Sequence, residues 1–496
     1  MEAETARDKN IVKQILTYIP GSIVPALISI VTTTIFTRVF SAAEYGLFSL
    51  FLMIATTFRL VTTMWLIPSS ARDLSAEQSE EGRRKIKAVV QVGIWVILCG
   101  DAVLGTAALL FLQPLLGAGQ QSLMLPMIAY VMASSVFEVV NSLFTAEMRA
   151  KEYVSFKLTD SLVTLGLRLL FVLTAINMDV RAMFWSVFIS AAVLSPLMWA
   201  KAGIPPVTII FREIQNKLNW SYIIRLLKYG LPMTFWFFSS TLLDGGARYV
   251  LQYYLGPREV GIYDANYRMI GGTVSLLLVP AVLSLHPYLI SISATGNKRK
   301  IGQVIEFILE KMLILGLAAV GLVLIFHKDI AYLLVGPEFR EGSGIMPIAL
   351  AGIVIGNMGS FTHKPFEIEK KLKWMLVMSV ISAVANLILN FMMVPWMGYM
   401  GSALATLASY VIYALGTAAL GRRLIDWHIG WRKLAPYFMA ISAGVSAIFF
   451  LRRAIEKYSY VAGLGLALVL ACLLGFLVVK LSFKWSSSLV DSKAKP

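Results

Sequence analysis

In the stretch "EVGIYDANYRMI" (259–270), Asp264 and Arg268 stand one helical turn apart, and Asp244 and Arg248 repeat that spacing just before it. Residues four apart share one face of a helix. Each pair could be a local ion pair. Alternatively, the two guanidinium groups could line one cavity and bind an anion, because the planar fork of arginine grips oxygens two at a time. Further ionisable residues lie in other apolar runs: Arg59, Asp101, Glu138, Arg168, and Lys364 with Glu367. A charge near the centre of a bilayer costs several kcal/mol, so such groups face water or a partner. Arg248 and Arg268 count back to roughly 10–12 Å below the nearest turn, and Arg59 and Arg168 to about 15–20 Å. Asp101 and Glu138 are candidate partners for the deeper arginines. Asp101, Glu138, Asp244 and Asp264 could tune the charge or bind a coupling ion.

Machinery for bond-making is not recognisable. There is no G-x-x-x-x-G-K-[ST] phosphate loop and no D-x-D, and His286, His327, His363 and His428 are scattered singly. Cys99 and Cys472 lack ligand spacing, so neither a metal site nor a disulfide framework is expected. No cofactor is implied, and the chain is not expected to be an enzyme.

The elements that must hold these residues are membrane helices. Of the 496 residues 58% are hydrophobic and 15% charged, with a mean hydropathy of +0.74. A soluble domain carries about a quarter charged residues. About fourteen apolar runs reach the roughly 20 residues that a spanning helix needs. They begin with 16–40 and 45–70 and end with 373–395, 399–421, 433–451 and 459–480. A short surface helix is expected over 7–16. Pro20, Pro25 and Pro232 should bend the first and seventh spans. Gly352 and Gly356 form a close-packing pair, expected to act within one chain. The formal charge of +16 lies mostly in short loops such as "RRKIK" (83–87), "KRK" (298–300) and "KKLK" (370–373). That placement suits topology determinants beside anionic membrane lipid rather than nucleic acid. It puts both termini in the cytoplasm of a cell-membrane protein.

Aligning Glu44 with Glu259 puts Gly46 on Gly261, Arg84-Lys85-Ile86 on Arg299-Lys300-Ile301, and Val89-Val90 on Val304-Ile305, all without a gap. This register implies an internal repeat of six spans, with both copies entering from the same side. Parallel repeats of this kind recur in secondary transporters. The expected architecture is all-α and polytopic. An N-terminal lobe covers 1–201, a cytoplasmic linker 202–224, a C-terminal lobe 225–421, and an extra helix pair with a tail 422–496.

The "EYGLFSLFLMI" and "GPREVGIYDANYRMI" segments, with the fourteen spans, resemble the O-antigen and exopolysaccharide flippases of the multidrug/oligosaccharidyl-lipid/polysaccharide exporter superfamily. Where family members often carry an acid just before the arginine of span seven, this chain has Ala247, with Asp244 one turn earlier. The resemblance implies a transporter that turns a polyprenyl-diphosphate-linked oligosaccharide from the cytoplasmic to the outer face by alternating access through a cationic cavity. Arg248, Arg268, Arg59, Arg168 and Lys364 would contact the substrate. Glycan polymerase or glycosyltransferases would be partners, and a monomer the working unit. The alternative is a cation-coupled drug or metabolite antiporter of the same superfamily, for which an acidic cavity would be favoured.

Overall fold

The computed structural model describes residues 20–111, 117–174, 179–205, 220–293 and 296–475. The expected surface helix over 7–16 and most of the linker lie outside the described residues. The chain runs through α1 (Pro20–Val39), α2 (Ala42–Thr63), α3 (Ile67–Ala76), α4 (Glu80–Phe111), α5 (Ala118–Ala146), α6 (Ala150–Leu173) and α7 (Arg181–Ala202). After the linker come α8 (Trp220–Gly245), α9 (Ala247–Leu255), α10 (Pro257–Ser293) and α11 (Lys298–Leu334). A 3-10 turn (Pro337–Gly344) leads to α12 (Ile345–Thr362), α13 (Lys364–Ile368), α14 (Leu372–Gly421) and α15 (Trp431–Glu456). The last is α16 (Tyr460–Gly475).

No strand occurs among the described residues, and nine helices there are long and apolar enough to cross a membrane. Hydrocarbon offers the backbone no hydrogen bonds, so a spanning segment must satisfy its own, as a helix does. Val103, Leu110, Phe111, Leu170 and Leu173 are exposed, as a lipid-facing surface requires. The chain is a multi-pass, all-α membrane protein. The spans expected at 373–395 and 399–421 are two helices within α14: the chain leaves helical geometry at Gly398 (φ 58°, ψ −141°), just after Pro395, and folds back so that Met378 meets Gly416 and Asn390 meets Ser402. The apolar stretch 225–255, long enough for one span, is broken into α8 and α9 at Gly245-Gly246. The loop after the second span carries the unexpected α3, started by Pro68 in its first turn.

Contacts divide the chain into two compact units: Met1–Asp264 with Ser275–Ser284, and Ala265–Val274 with Leu285–Pro496. In the first unit, α4, α5 and α7 build a core around Val90, Ile94, Val140, Leu143, Phe144, Leu194 and Met198. Its basic ends are tied by Lys87 and Glu147 at 2.6 Å. In the second unit, α12 lies close on α14. A Cβ on Gly356 or Gly359 would press on the ring of Tyr410 or Tyr413. The glycine motif of α12 therefore packs within the chain. Ile314, Ala318, Leu434 and Ile441 join α11 to α15, and Phe326, Ile448, Ala467 and Ala471 bring in α16.

Candidate functional site

The hairpin of α9 and α10 turns at Gly256, whose φ of 86° and ψ of −177° suit glycine alone. Pro257 then opens α10, at a place where a missing N–H costs nothing. Folding back at Gly256 sets side by side residues equally far from it, and Arg248 and Asp264 are such a pair. Arg248 Nε donates to Asp264 Oδ1 at 2.7 Å, and Nη2 lies 2.5 Å from the same oxygen. Both side chains are closed to solvent, at 5% and 0% exposure. The ion pair therefore bridges two helices, whereas the sequence spacing points along one. Arg248 also donates to the backbone carbonyl of Asp244 at 3.4 Å, while the residue Asp244 itself is exposed. In the second unit, Asn266 is buried and donates to the Phe339 carbonyl at 2.8 Å. Arg268 is half-buried on α10.

A second polar constellation lies wholly in the first unit. One face of α6 carries Lys157, Asp160, Thr164 and Arg168 at helical spacing. Lys157 Nζ sits 3.0 Å from Glu138 Oε1 on α5. Arg59 of α2 also acts electrostatically on Glu138, and its own Nε is buried without a hydrogen-bond partner. Asp160 accepts from Ser190 Oγ at 2.8 Å. Arg168 Nε donates to Ser186 Oγ at 3.2 Å. With Phe36, Phe40, Phe171, Asp179 and Met183, Arg168 lines a small, partly open cleft with room for about one water. Asp101 of α4 is 1% exposed; its Oδ2 accepts from Ser135 at 3.1 Å. Its Oδ1 has no hydrogen-bond partner.

Neither Lys157 nor Asp160 is singled out in the sequence: both stand in the first half of α6, close to the basic residues Arg149 and Lys151. Their signal was the continuation of the polar face of Arg168 back along α6 at steps of three and four.

Lys364 sits where α12 gives way to α13, with Pro365 in the first turn. Its Nζ lies 2.8–2.9 Å from both oxygens of Glu367. His363 bonds Glu367 through Nε2 at 2.9 Å and the Tyr413 hydroxyl through Nδ1 at 2.8 Å. The charge of Lys364 is thus already matched. Among the described residues, no group of three or more His, Cys, Asp or Glu could hold a metal.

These constellations offer mid-helix cations, some neutralised and some only partly satisfied. A family model described as "Polysaccharide biosynthesis protein" matches residues 11–293. The "Probable low-salt glycan biosynthesis flippase Agl15" of Haloferax volcanii is 23% identical over 284 residues, covering 54% of this chain and 56% of that protein. The match thus spans about half of that relative's length. Among solved structures, "Lipid II flippase MurJ, inward closed conformation" aligns with TM-score 0.70 and 15% identity over 95% of this chain and 99% of that chain. An inward-facing multidrug resistance MATE family transporter of the MOP superfamily aligns with TM-score 0.60 and 14% identity over 85% of this chain and 95% of that one. At these identities the two structures establish a shared fold.

Proposed function

The chain belongs to the polysaccharide biosynthesis protein family, and we propose that it flips a polyprenyl-diphosphate-linked oligosaccharide from the cytoplasmic to the outer face of the cell membrane. The physical difficulty of that task is the head group. Ionised groups in hydrocarbon cost tens of kcal/mol by Born estimates. A hydrated, cationic passage removes the barrier while the lipid tail stays in the bilayer. The observation that carries the reading is the buried Nε of Arg59, which has no hydrogen-bond partner although the arginine acts on Glu138, itself paired with Lys157. A buried donor without a partner costs about 1–3 kcal/mol. A diphosphate oxygen would satisfy it.

Arg59 is the first-choice substrate contact, with Arg168, Arg268, Arg248 and Lys364 as further cationic contacts. Arg248 and Lys364 would engage a diphosphate by exchanging partners with Asp264 and Glu367. Glu138, Asp101, Asp160, Asp244 and Asp264 would set the charge balance. Transport would proceed by alternating access between lobes at 1–201 and 225–421, in a monomer with both termini cytoplasmic. The glycan would come from glycosyltransferases and pass to a polymerase or ligase.

The test is to make Arg59→Ala and Arg168→Ala and to measure lipid-linked glycan on the outer face with a membrane-impermeant glycan probe. Export should fall while protein level holds; normal export by both variants rejects the reading. Unchanged export together with lost resistance to cationic drugs would instead favour the antiporter.

A further inference from the structure

The first turns of α2 and α10 meet backbone to backbone within the first unit. A Cβ added to Gly46 would overlap the Pro257 carbonyl oxygen and stand 2.8 Å from the Gly261 nitrogen. A Cβ added to Gly261 would overlap the Ala42 carbonyl oxygen and stand 3.0 Å from the Gly46 nitrogen. The contact is reciprocal because these two glycines hold the same position in the two copies of the repeated motif. Each helix turns its glycine to the first-turn carbonyl of the other. Ala42, Val260, Ile262 and Tyr263 around it are all 0% exposed, so nothing of solvent size passes there.

Both helix ends are held firmly. Ser41 and Glu44 form a reciprocal capping box on α2, and Pro257 and Glu259 open α10. Two turns below Gly46 on the same face of α2, about 10 Å deeper, lies Met53. A Cβ on Gly245 would overlap the Met53 thioether, and Met53 is only 8% exposed. The seam thus has a rigid outer layer of glycine backbone and a deformable inner layer of methionine, whose unbranched side chain adapts readily. A glycine contact has no interdigitated side chains to unthread, so it can part and close as two smooth surfaces. On the orientation proposed above, its outer layer sits where a passage would open to the outside.

We infer that the Gly46–Gly261 contact is the outer gate of the transporter, shut here and parted when substrate leaves on the outer face. This rests on the alternating-access reading, but its test needs no glycan, so the two can fail separately.

Cys99 and Cys472 are first replaced by Ser, and Met53→Cys is introduced as a reporter behind the contact. The protein in intact cells is treated from outside with a membrane-impermeant maleimide. Labelling of the reporter should be slow with native glycines. It should rise about tenfold when Gly46→Leu wedges the seam, a population shift of about 1.4 kcal/mol. Equal labelling with and without the wedge overturns the proposal. Because the wedge could prevent folding, a second arm keeps both glycines. Ala43→Cys and Arg258→Cys, at the outer ends of the two helices, are joined by a short reducible bifunctional thiol reagent. The cross-link should form, should hold Met53→Cys unreactive, and should release it on reduction. A cross-link that does not form, or a reporter that labels at the same rate before and after reduction, overturns the proposal.

Discussion

Arg248 and Asp264 stand on opposite arms of the α9–α10 hairpin, 2.5–2.7 Å apart and shut away from solvent. Breaking a buried pair from one side strands a charge and costs about 3–5 kcal/mol, whereas replacing both members with apolar residues is often neutral. Arg248→Ala should therefore lower the thermal unfolding temperature in detergent sharply. Arg248→Met with Asp264→Leu should restore most of it. Export then separates the roles. A stable double variant that still exports makes the pair a structural clasp, and one that does not shows that its charges are used.

Arg59 should behave in the opposite way. Its Nε has no hydrogen-bond partner, and Lys157 already serves Glu138. Arg59→Ala removes the pull of Arg59 on Glu138, which Lys157 still pairs, so stability should change by only about 1 kcal/mol. Its effect should appear in export, with a loss of tenfold or more if the guanidinium meets a diphosphate, as charged hydrogen bonds are worth about 1.5–3 kcal/mol. Arg59→Lys, which keeps the charge without the fork, should recover part of it. Equal export by all three proteins would remove Arg59 from the substrate path.

The spans were legible because apolar length and breakers are local. Pro395 and Gly398 mark the break between the two helices of α14, and the echo of Gly46 in Gly261 marks two related turns. What the sequence hid was the rotation of each helix about its axis. Asp244 looks like the partner of Arg248 at four residues, yet the hairpin delivers Asp264. His363 and Tyr413 meet across 50 positions of sequence. These pairings depend on which face each helix turns inward, and a helix that is apolar all round gives little sign of that face. Lys157 was missed for a related reason. A lysine near a basic loop reads as part of that loop until the helix is seen to begin at Ala150.

Asp329 ties three elements of the second unit together. It accepts from Arg452 Nη1 at 2.7 Å and Nη2 at 3.1 Å, and from the Tyr460 hydroxyl. Arg452 also bonds Glu456 at 2.6 Å. The cluster thus fastens the ends of α15 and α16 to α11. Asp329→Asn removes the charge and part of the bidentate grip, so the 456–460 turn should open more often. Limited proteolysis should cut there faster in the variant while export changes little. Unchanged cleavage would mean that the apolar contacts around Phe326 and Ala467 hold the helix pair unaided.

Beyond the fold at Gly398 the two helices of α14 lie side by side, and four neutral side chains join them. Ser402 Oγ donates to Asn390 Oδ1 at 2.5 Å, Asn390 Nδ2 donates to the Asn386 carbonyl at 2.8 Å, and Asn386 Nδ2 reaches Thr406 Oγ1 at 3.4 Å. Asn386 and Asn390 precede the fold and Ser402 and Thr406 follow it, and all four are buried at 2% exposure or less. Ser402→Ala removes the donor that satisfies Asn390 Oδ1, leaving a buried acceptor at a cost of about 1–3 kcal/mol. Ser402→Ala with Asn390→Leu removes donor and acceptor together, so it should be less destabilised than the sum of the single changes. A double-mutant cycle on thermal unfolding gives the coupling directly. A coupling of about 0.5–3 kcal/mol is expected for residues in one network. A value near zero would mean that the fold is held by the backbone at Gly398 and Pro395 and by the apolar packing of the two helices, without help from the polar bridge.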